Sequence, residues 1–288
     1  MSEGFDRNAL TARAIAASVA IANNHSITVD EPQILADAYS VRVHLQPAPI
    51  IVRISTITPV LRYPIETWLL RELSVAEFLV VKGAPVVPPS DLVPSGVYSH
   101  NGLFMTFWQY VQPVSDVIPE SETVGKMLAE LHTVLRDYPG ELPLLAPPLN
   151  DIPRGIERLQ QAGNILSTDD LELLQATYDT LLSKLKNPFG SLQPLHGDAH
   201  ARNLILTAKG LLWNDFEDTC MGSIGWDLVN LDDAGRKAYG DIPEHEMSEI
   251  YQKLRQLHVI AWVYALSPEF PDWVEYVKAM LADLHEHK

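Results

Sequence analysis

Two short segments near the N-terminal end alternate apolar and polar residues with a period of two. In YSVRVHLQ, Val41, Val43 and Leu45 share one face, and in IIVRIST so do Ile50, Val52 and Ile54. QPAP between them is a turn, so the pair predicts a β-hairpin. Arg53 then points to the face opposite Ile50, Val52 and Ile54, in line with Ile51. The next stretch, IETWLLRELSVAEFLVV, carries Leu69, Leu73 and Ala76 at helical spacing and is closed by Gly83, Pro85, Pro88 and Pro89. GLFMTFWQYV, from Gly102 to Val111, is an aromatic, strand-favouring run broken by Pro113. After it the period changes: SETVGKMLAELHTVL places Val124, Met127, Leu128, Leu131 and Leu135 on one helical face. A further helix is predicted near Asp169 to Lys186, with Ser167 or Thr168 as its N-cap. Two more are predicted at roughly Pro243 to Leu266 and Asp272 to His287. Between these helices lies a second hairpin, NLILT, the turn AKG, and LLWNDFE.

The chain is thus strand-rich to about Tyr110 and helix-rich beyond. Composition narrows the picture. Hydrophobic residues make up 47% of the 288, which sets a disordered chain aside. The single cysteine, Cys220, excludes an intrachain disulfide and fits a reducing compartment. The N-terminal end lacks a basic segment followed by an uncharged apolar core, and no run of about 18 apolar residues appears. A cytoplasmic protein with no membrane partner is therefore expected. The net charge of -16 repels nucleic acid phosphates and argues against DNA or RNA as a partner, and it slightly favours cationic small molecules. A nucleotide could approach such a chain only with a divalent cation.

The densest chemistry lies around the second hairpin. Four residues separate Asp198 from Asn203, and Asp215 ends the second strand. A carboxylate before a hairpin, an amide at its entry and a carboxylate at its exit can converge on one end of it. Phosphoryl transfer asks for such a set: one carboxylate takes the proton of the attacking hydroxyl, while an amide oxygen and a second carboxylate hold Mg2+. The protein-kinase template, H-R-D, four residues, N, then D-F-G, is met by His196-Gly197-Asp198, Asn203 and Asp215-Phe216-Glu217, with Gly for Arg and Glu for Gly as departures.

HGDAHARNLI and WNDFED, followed by GSIGWDLVNL and preceded by LAELH at Leu128 to His132, resemble the aminoglycoside phosphotransferase and choline kinase-like family. The resemblance runs in order from about Gln33 to Leu231 and is densest from Leu195 to Leu228. It implies an α+β, two-lobed protein-kinase-like fold, with a small antiparallel-sheet lobe and a larger, mainly helical one. Residues 1–110, with an N-terminal helix, would form the nucleotide-binding lobe, and residues 111–288 the catalytic and substrate-binding lobe. Asp198 would be the catalytic base, Asn203 and Asp215 the Mg2+ ligands, and His196 and Asp227 structural supports of the loop. The place of the family's strand lysine is held by Arg53, with Glu72 on the following helix as its partner; a forked, permanently charged arginine can still hold inner phosphate oxygens. Ile51 would line the adenine pocket, and the backbone of Trp108, Gln109 and Tyr110 would contact the base of ATP (or GTP). The segment expected to cover the phosphates, DAYSVRVHLQ, has no glycine.

Plainer roles compete for several of these residues. His196 and His200 are spaced as zinc ligands on a helix, but Gly197 and the strand-forming NLIL argue against a helix there. Glu72 could serve an exposed pair on its helix, His132 is expected as a satisfied core histidine, and Cys220 as a small buried residue. Trp262, Tyr264, Trp273 and Tyr276 could cage a quaternary ammonium group or simply pack. Asp232 and Asp233 could bind an acceptor amine or cap a helix. The resulting expectation is a kinase that phosphorylates a hydroxyl of a small metabolite, cationic ones included, or of an aminoglycoside. A non-catalytic nucleotide or metabolite binder of the same fold is the first alternative, and a metal-dependent hydrolase the second. Oligomeric state leaves no mark on the sequence.

Overall fold

The computed structural model describes residues 5–185, 191–240, 242 and 249–286. The chain divides into two compact units, Met1–Pro119 with Ala201–Glu217, and Glu120–His200 with Asp218–Lys288. The first is built on an antiparallel sheet and the second is mainly helical, so the α+β class expected from the sequence is observed.

In the first unit, helix α1 (Arg7–Asn24) precedes strands β1 (Val29–Asp37), β2 (Ser40–Pro47) and β3 (Ile50–Ser55). Helix α2 (Ile65–Val81) and strands β4 (Tyr98–His100) and β5 (Leu103–Gln109) follow. The sheet order is β1-β2-β3-β5-β4. Strands β2 and β3 are the predicted hairpin, and their alternation does what period two requires. Val41, Val43, Leu45, Ile50, Val52 and Ile54 all face a core closed by Ala14, Ala17 and Ile21 of α1. The opposite face carries Ile51 and packs on Leu73 and Ala76 of α2 together with Val87 and Trp108.

Two features go beyond the pattern. The segment DAYSVRVHLQ is mostly strand, because β1 pairs with β2 along its length and leaves only Ala38 and Tyr39 to turn. Strands β4 and β5 are joined by Asn101-Gly102, both at positive φ (50° and 77°), the backbone a two-residue hairpin of right-handed twist demands. The hairpin β7 (Leu204–Thr207) and β8 (Gly210–Trp213) completes this unit. It is docked by the amide of Val87 donating to the Trp213 carbonyl at 2.9 Å.

The second unit contains α3 (Ser121–Leu135), α4 (Ala146–Ala162), α5 (Thr168–Leu185), α6 (Gly225–Leu228), α7 (Asp233–Tyr239), α8 (Glu249–Ala265) and α9 (Val274–Glu286). A short strand pair, β6 (Gln193–Leu195) with β9 (Cys220–Gly222), lies among them. Helix α3 spans the residues its period predicts. For α5 the cap is Ser167: its hydroxyl accepts from the amide of Asp170 at 3.1 Å, and the Asp170 carboxylate accepts in return from the Ser167 amide. Helix α4 is not announced by the sequence. Pro147 and Pro148 sit in its first turn, where amides lack helical partners anyway, and Pro153 lies inside it. Residues 186, 243–248 and 287 of the predicted helices lie outside the described residues; the rest of those predictions corresponds to α5, α8 and α9. Among the described residues no helix is long and apolar enough to cross a membrane.

Candidate active-site residues

In the sheet unit, the period of β3 turns Arg53 away from the core and toward α2. There it meets Glu72, nineteen positions on, with Nη1 donating to Oε1 at 2.7 Å. The same nitrogen donates to Asp215 Oδ1 at 2.9 Å, and Nη2 donates to Glu217. Arg62 also donates to the Glu217 carboxylate, and Arg71 to its backbone carbonyl at 2.9 Å. The side chains of Arg53, Glu72 and Glu217 are 9%, 2% and 2% exposed, so these charges interact with one another rather than with water. Burial opposes the charge on Arg53, but Asp215, Glu217 and Glu72 outweigh it and hold the guanidinium pKa above its ordinary value. Burial has the upper hand at Glu72: against the pull of Arg53, and aided by Asp215 and Glu217, it pushes the carboxyl up to about 8.

These pairings give a physical reason for two departures in this unit, Arg53 in place of the strand lysine and Glu217 in place of the template's glycine. A lysine presents one nitrogen, whereas Arg53 presents a fork. Its second tine needs an anion, and Glu217, standing where that template has glycine, supplies one.

The β7–β8 hairpin sets the position of Asn203 and Asp215. Leu204 pairs with Trp213, and the Asn214 amide donates to the Asn203 carbonyl at 2.9 Å, so both residues flank the open end of the hairpin. Asp215 itself has φ +67°, a left-handed backbone that aspartate tolerates better than most residues but that still carries strain. A cavity of about 170 Å³ opens beside it, apolar where Ile51, Val87 and Trp108 line it and charged where Arg42, Arg53 and Asp215 do. Tyr110 also lines it. The amides of Gln109 and Tyr110 are donated to the carbonyls of Pro88 and Pro49 at 3.0 and 2.9 Å, so an incoming base would have to exchange with these to use them.

For a divalent ion this unit offers oxygen donors, the Asn203 amide and the Asp215 carboxylate, on the two residues that flank the open end of the hairpin. Hard cations such as Mg2+ prefer oxygen and take most of their remaining ligands from water and phosphate, so the donor set fits. Among the described residues no group of three His, Cys, Asp or Glu is arranged to hold a metal ion unaided.

In the helical unit, Asp227 on α6 is the organising group. It is fully buried and accepts from the amides of His196 and Gly197 at 2.9 and 2.8 Å, while its Oδ2 lies 2.9 Å from His132 Nε2. His132 is completed by Tyr239, whose hydroxyl is 2.9 Å from Nδ1, the satisfied core histidine its helix face predicts. Burial opposes the charge on Asp227, but the hydrogen bond from His132 and the nearby donors hold its carboxyl below the ordinary range.

The backbone so fixed presents Asp198. Its amide donates to His196 Nδ1 at 3.3 Å, Arg255 of α8 reaches Oδ1 at 3.3 Å, and His200 Nε2 stands 3.2 Å from Oδ2. Burial again opposes, but His200 and Arg255 prevail and depress the Asp198 pKa. The Gly197 carbonyl accepts from Trp226 Nε1 at 2.8 Å and from Arg255 at 3.1 Å, and the Arg255 guanidinium stacks 3.9 Å over the Trp226 ring. Gly197 has φ +87°, and a Cβ there would stand 1.8 Å from the Asp218 carbonyl oxygen. That is why glycine occupies the arginine position of the protein-kinase template.

The structure therefore gathers Ile51, Arg53, Glu72, Trp108, Tyr110 and Asp215 around one cavity, and His196, Asp198 and Asp227 into one network of the other unit. The sequence gave no role to Arg42 and Arg62 in the first group, marked Glu217 only as a departure from the template, weighed His200 of the second only as a zinc ligand, and gave Arg255 none. Only Arg42 had a local signal, the alternation of β2 that puts it beside His44. Other candidates take plain roles. Asp232 caps α7, accepting from the Gly235 amide at 2.9 Å, and Cys220 is buried. Trp262 and Tyr264 are buried in α8, Trp273 stacks on Phe270 at 4.3 Å, and Tyr276 is exposed.

No curated protein matches the chain significantly. Solved structures share its fold at low identity. A choline kinase from Streptococcus pneumoniae superposes with TM-score 0.62 at 17% identity, covering 94% of this chain and 98% of its own. An aminoglycoside phosphotransferase in complex with GDP and kanamycin gives 0.66 at 15%, covering 94% and 99%. An amicoumacin kinase in complex with AMP-PNP and Ca2+ gives 0.64 at 14%, covering 94% and 93%. The profile of the phosphotransferase enzyme family matches residues 32–264, most of the chain, and the chain belongs to that family.

Proposed function

We propose that the protein transfers the γ-phosphoryl group of ATP or GTP to a hydroxyl of a small molecule. The observation that supports this best is the Arg53–Glu72 pair, closed at 2.7 Å and sharing its guanidinium with Asp215 at the charged end of an otherwise apolar cavity. Ile51 and Trp108 would flank the base, and Arg53 would orient the inner phosphates. Asn203 and Asp215 would hold Mg2+, which when bound neutralises charge on the transferring phosphate. Asp198 would accept a hydrogen bond from the acceptor hydroxyl and take its proton late. Its depressed pKa suits orientation more than strong basicity, as a loose phosphoryl-transfer transition state allows. A cationic acceptor is favoured by the charge of -16 and by the choline and kanamycin of the structural relatives. The test is phosphate transfer from ATP and GTP to a panel of amino alcohols, choline and amino sugars. Asp198→Asn is expected to lower kcat by about 10²–10⁴. Full turnover by that variant would remove Asp198 from the chemistry.

A further inference from the structure

We infer that Arg42 is a phosphate-binding cation of the nucleotide pocket, and that before a nucleotide arrives it masks Asp215 from metal. The inference rests on the kinase reading above and adds a residue to it.

Register places Arg42 of β2 directly opposite Arg53 of β3, so the two side chains leave the sheet on the same face. Two guanidiniums so placed repel each other unless an anion bridges them. Asp215 is that anion, with Oδ2 at 2.6 Å from Arg42 Nη2 and Oδ1 at 2.9 Å from Arg53 Nη1. Both oxygens of the expected metal ligand are thus engaged by arginine.

The two arginines are not equivalent. Arg53 is 9% exposed and surrounded by Glu72, Asp215 and Glu217, so its charge is committed within the fold. Arg42 is 34% exposed, lines the cavity and, among the described residues, has its ion pair with Asp215 alone. Leaving Asp215 costs Arg42 little desolvation, whereas Arg53 could turn only by stranding buried carboxylates. In a chain of charge -16, a polyphosphate needs a cation able to meet it. Arg42 can do so by exchanging one ion pair for another: Asp215 releases it, a phosphate oxygen takes it, and the ion that accompanies the nucleotide takes its place at Asp215 Oδ2. No proton or covalent bond changes.

Titration calorimetry on wild type, Arg42→Met and Arg42→Lys, with Mg·AMP-PNP, Mg·ADP and adenosine (and the guanosine series alongside), tests the phosphate half. Mn2+ binding without nucleotide, followed by electron paramagnetic resonance, tests the masking half. Arg42→Met is expected to weaken Mg·AMP-PNP about ten- to a hundredfold, the worth of a hydrogen bond between charged groups, and to leave adenosine within about twofold. It should bind Mn2+ more tightly than wild type, and Arg42→Lys should fall between. Unchanged AMP-PNP affinity would overturn the proposal and leave the kinase reading standing. Equal weakening of AMP-PNP and adenosine would reduce Arg42 to a structural residue. Wild type that binds no nucleotide would sink both. If Arg42→Met does not fold, as judged by its melting curve, Arg42→Lys carries the test: it keeps the charge but not the fork, and nucleotide affinity equal to wild type with no gain in Mn2+ binding counts against the proposal.

Discussion

Glu72 and Asp227 are both buried acids, yet their surroundings push them in opposite directions. Glu72 faces a formal positive charge, Arg53 at 2.7 Å, but shares it with Asp215 and Glu217 and has an oxygen with no partner. Its pKa rises. Asp227 receives two backbone amides and an imidazole, and its pKa falls although it is just as buried. The difference teaches that donors aimed at each oxygen, rather than a nearby cation, decide whether a buried carboxylate stays charged. The sheet unit balances its acids with side-chain guanidiniums, and the helical unit pins its acid with two backbone amides and a histidine.

Three measurements would break or sharpen that contrast. Asp227→Ala leaves the amides of His196 and Gly197 and the His132 ring without their acceptor, and should lower unfolding free energy by about 3–5 kcal/mol in urea denaturation. Asp227→Asn, which keeps an acceptor oxygen, should cost clearly less, and equal costs would mean that shape rather than hydrogen bonding matters there. Next in size is the coupling between Arg53 and Glu217. A double-mutant cycle of Arg53→Lys and Glu217→Gly should give an interaction energy of about 1–3 kcal/mol, because lysine no longer needs the second anion. Additive costs would show that the two departures from the template are independent.

The third measurement is a pH slope. The folded-state pKa of Glu72 lies above its unfolded value, so the folded state binds the extra proton. That stability is full below the unfolded pKa and is lost as pH rises through about 8. Glu72→Gln should flatten the melting temperature between about pH 5 and 8. Asp227 runs the other way: its contribution is present above the ordinary carboxylate pKa and is lost only as pH falls through its depressed folded value. A Glu72→Gln variant with an unchanged slope would mean that another group carries the proton.

Much of the fold is legible because its signals are local. The faces of β2, β3, α2 and α3 follow from periods of 2 and 3.6, and the span between Asp198 and Asn203 is countable in the sequence. Helix α4 is hidden because Pro147, Pro148 and Pro153 read as breakers when their places in the helix are unknown. Strand β1 is not announced because Val29–Asp37 lacks strong alternation.

What the sequence determined by itself was which side of each element faces a core and which residue types stand at the family's motif positions. Apart from the Arg53–Glu72 pair, which the family resemblance implies, tertiary structure chose the partners of the charges. Arg62 meets Glu217 across 155 positions, Arg42 meets Asp215 across 173, and Arg255 meets Asp198 across 57. Periodicity is a property of neighbouring residues, whereas a counter-charge is whatever the fold brings within about 3 Å. For the same reason the glycine at position 197 looks like a departure in the sequence and a necessity in the structure, where the Asp218 carbonyl leaves no room for a Cβ.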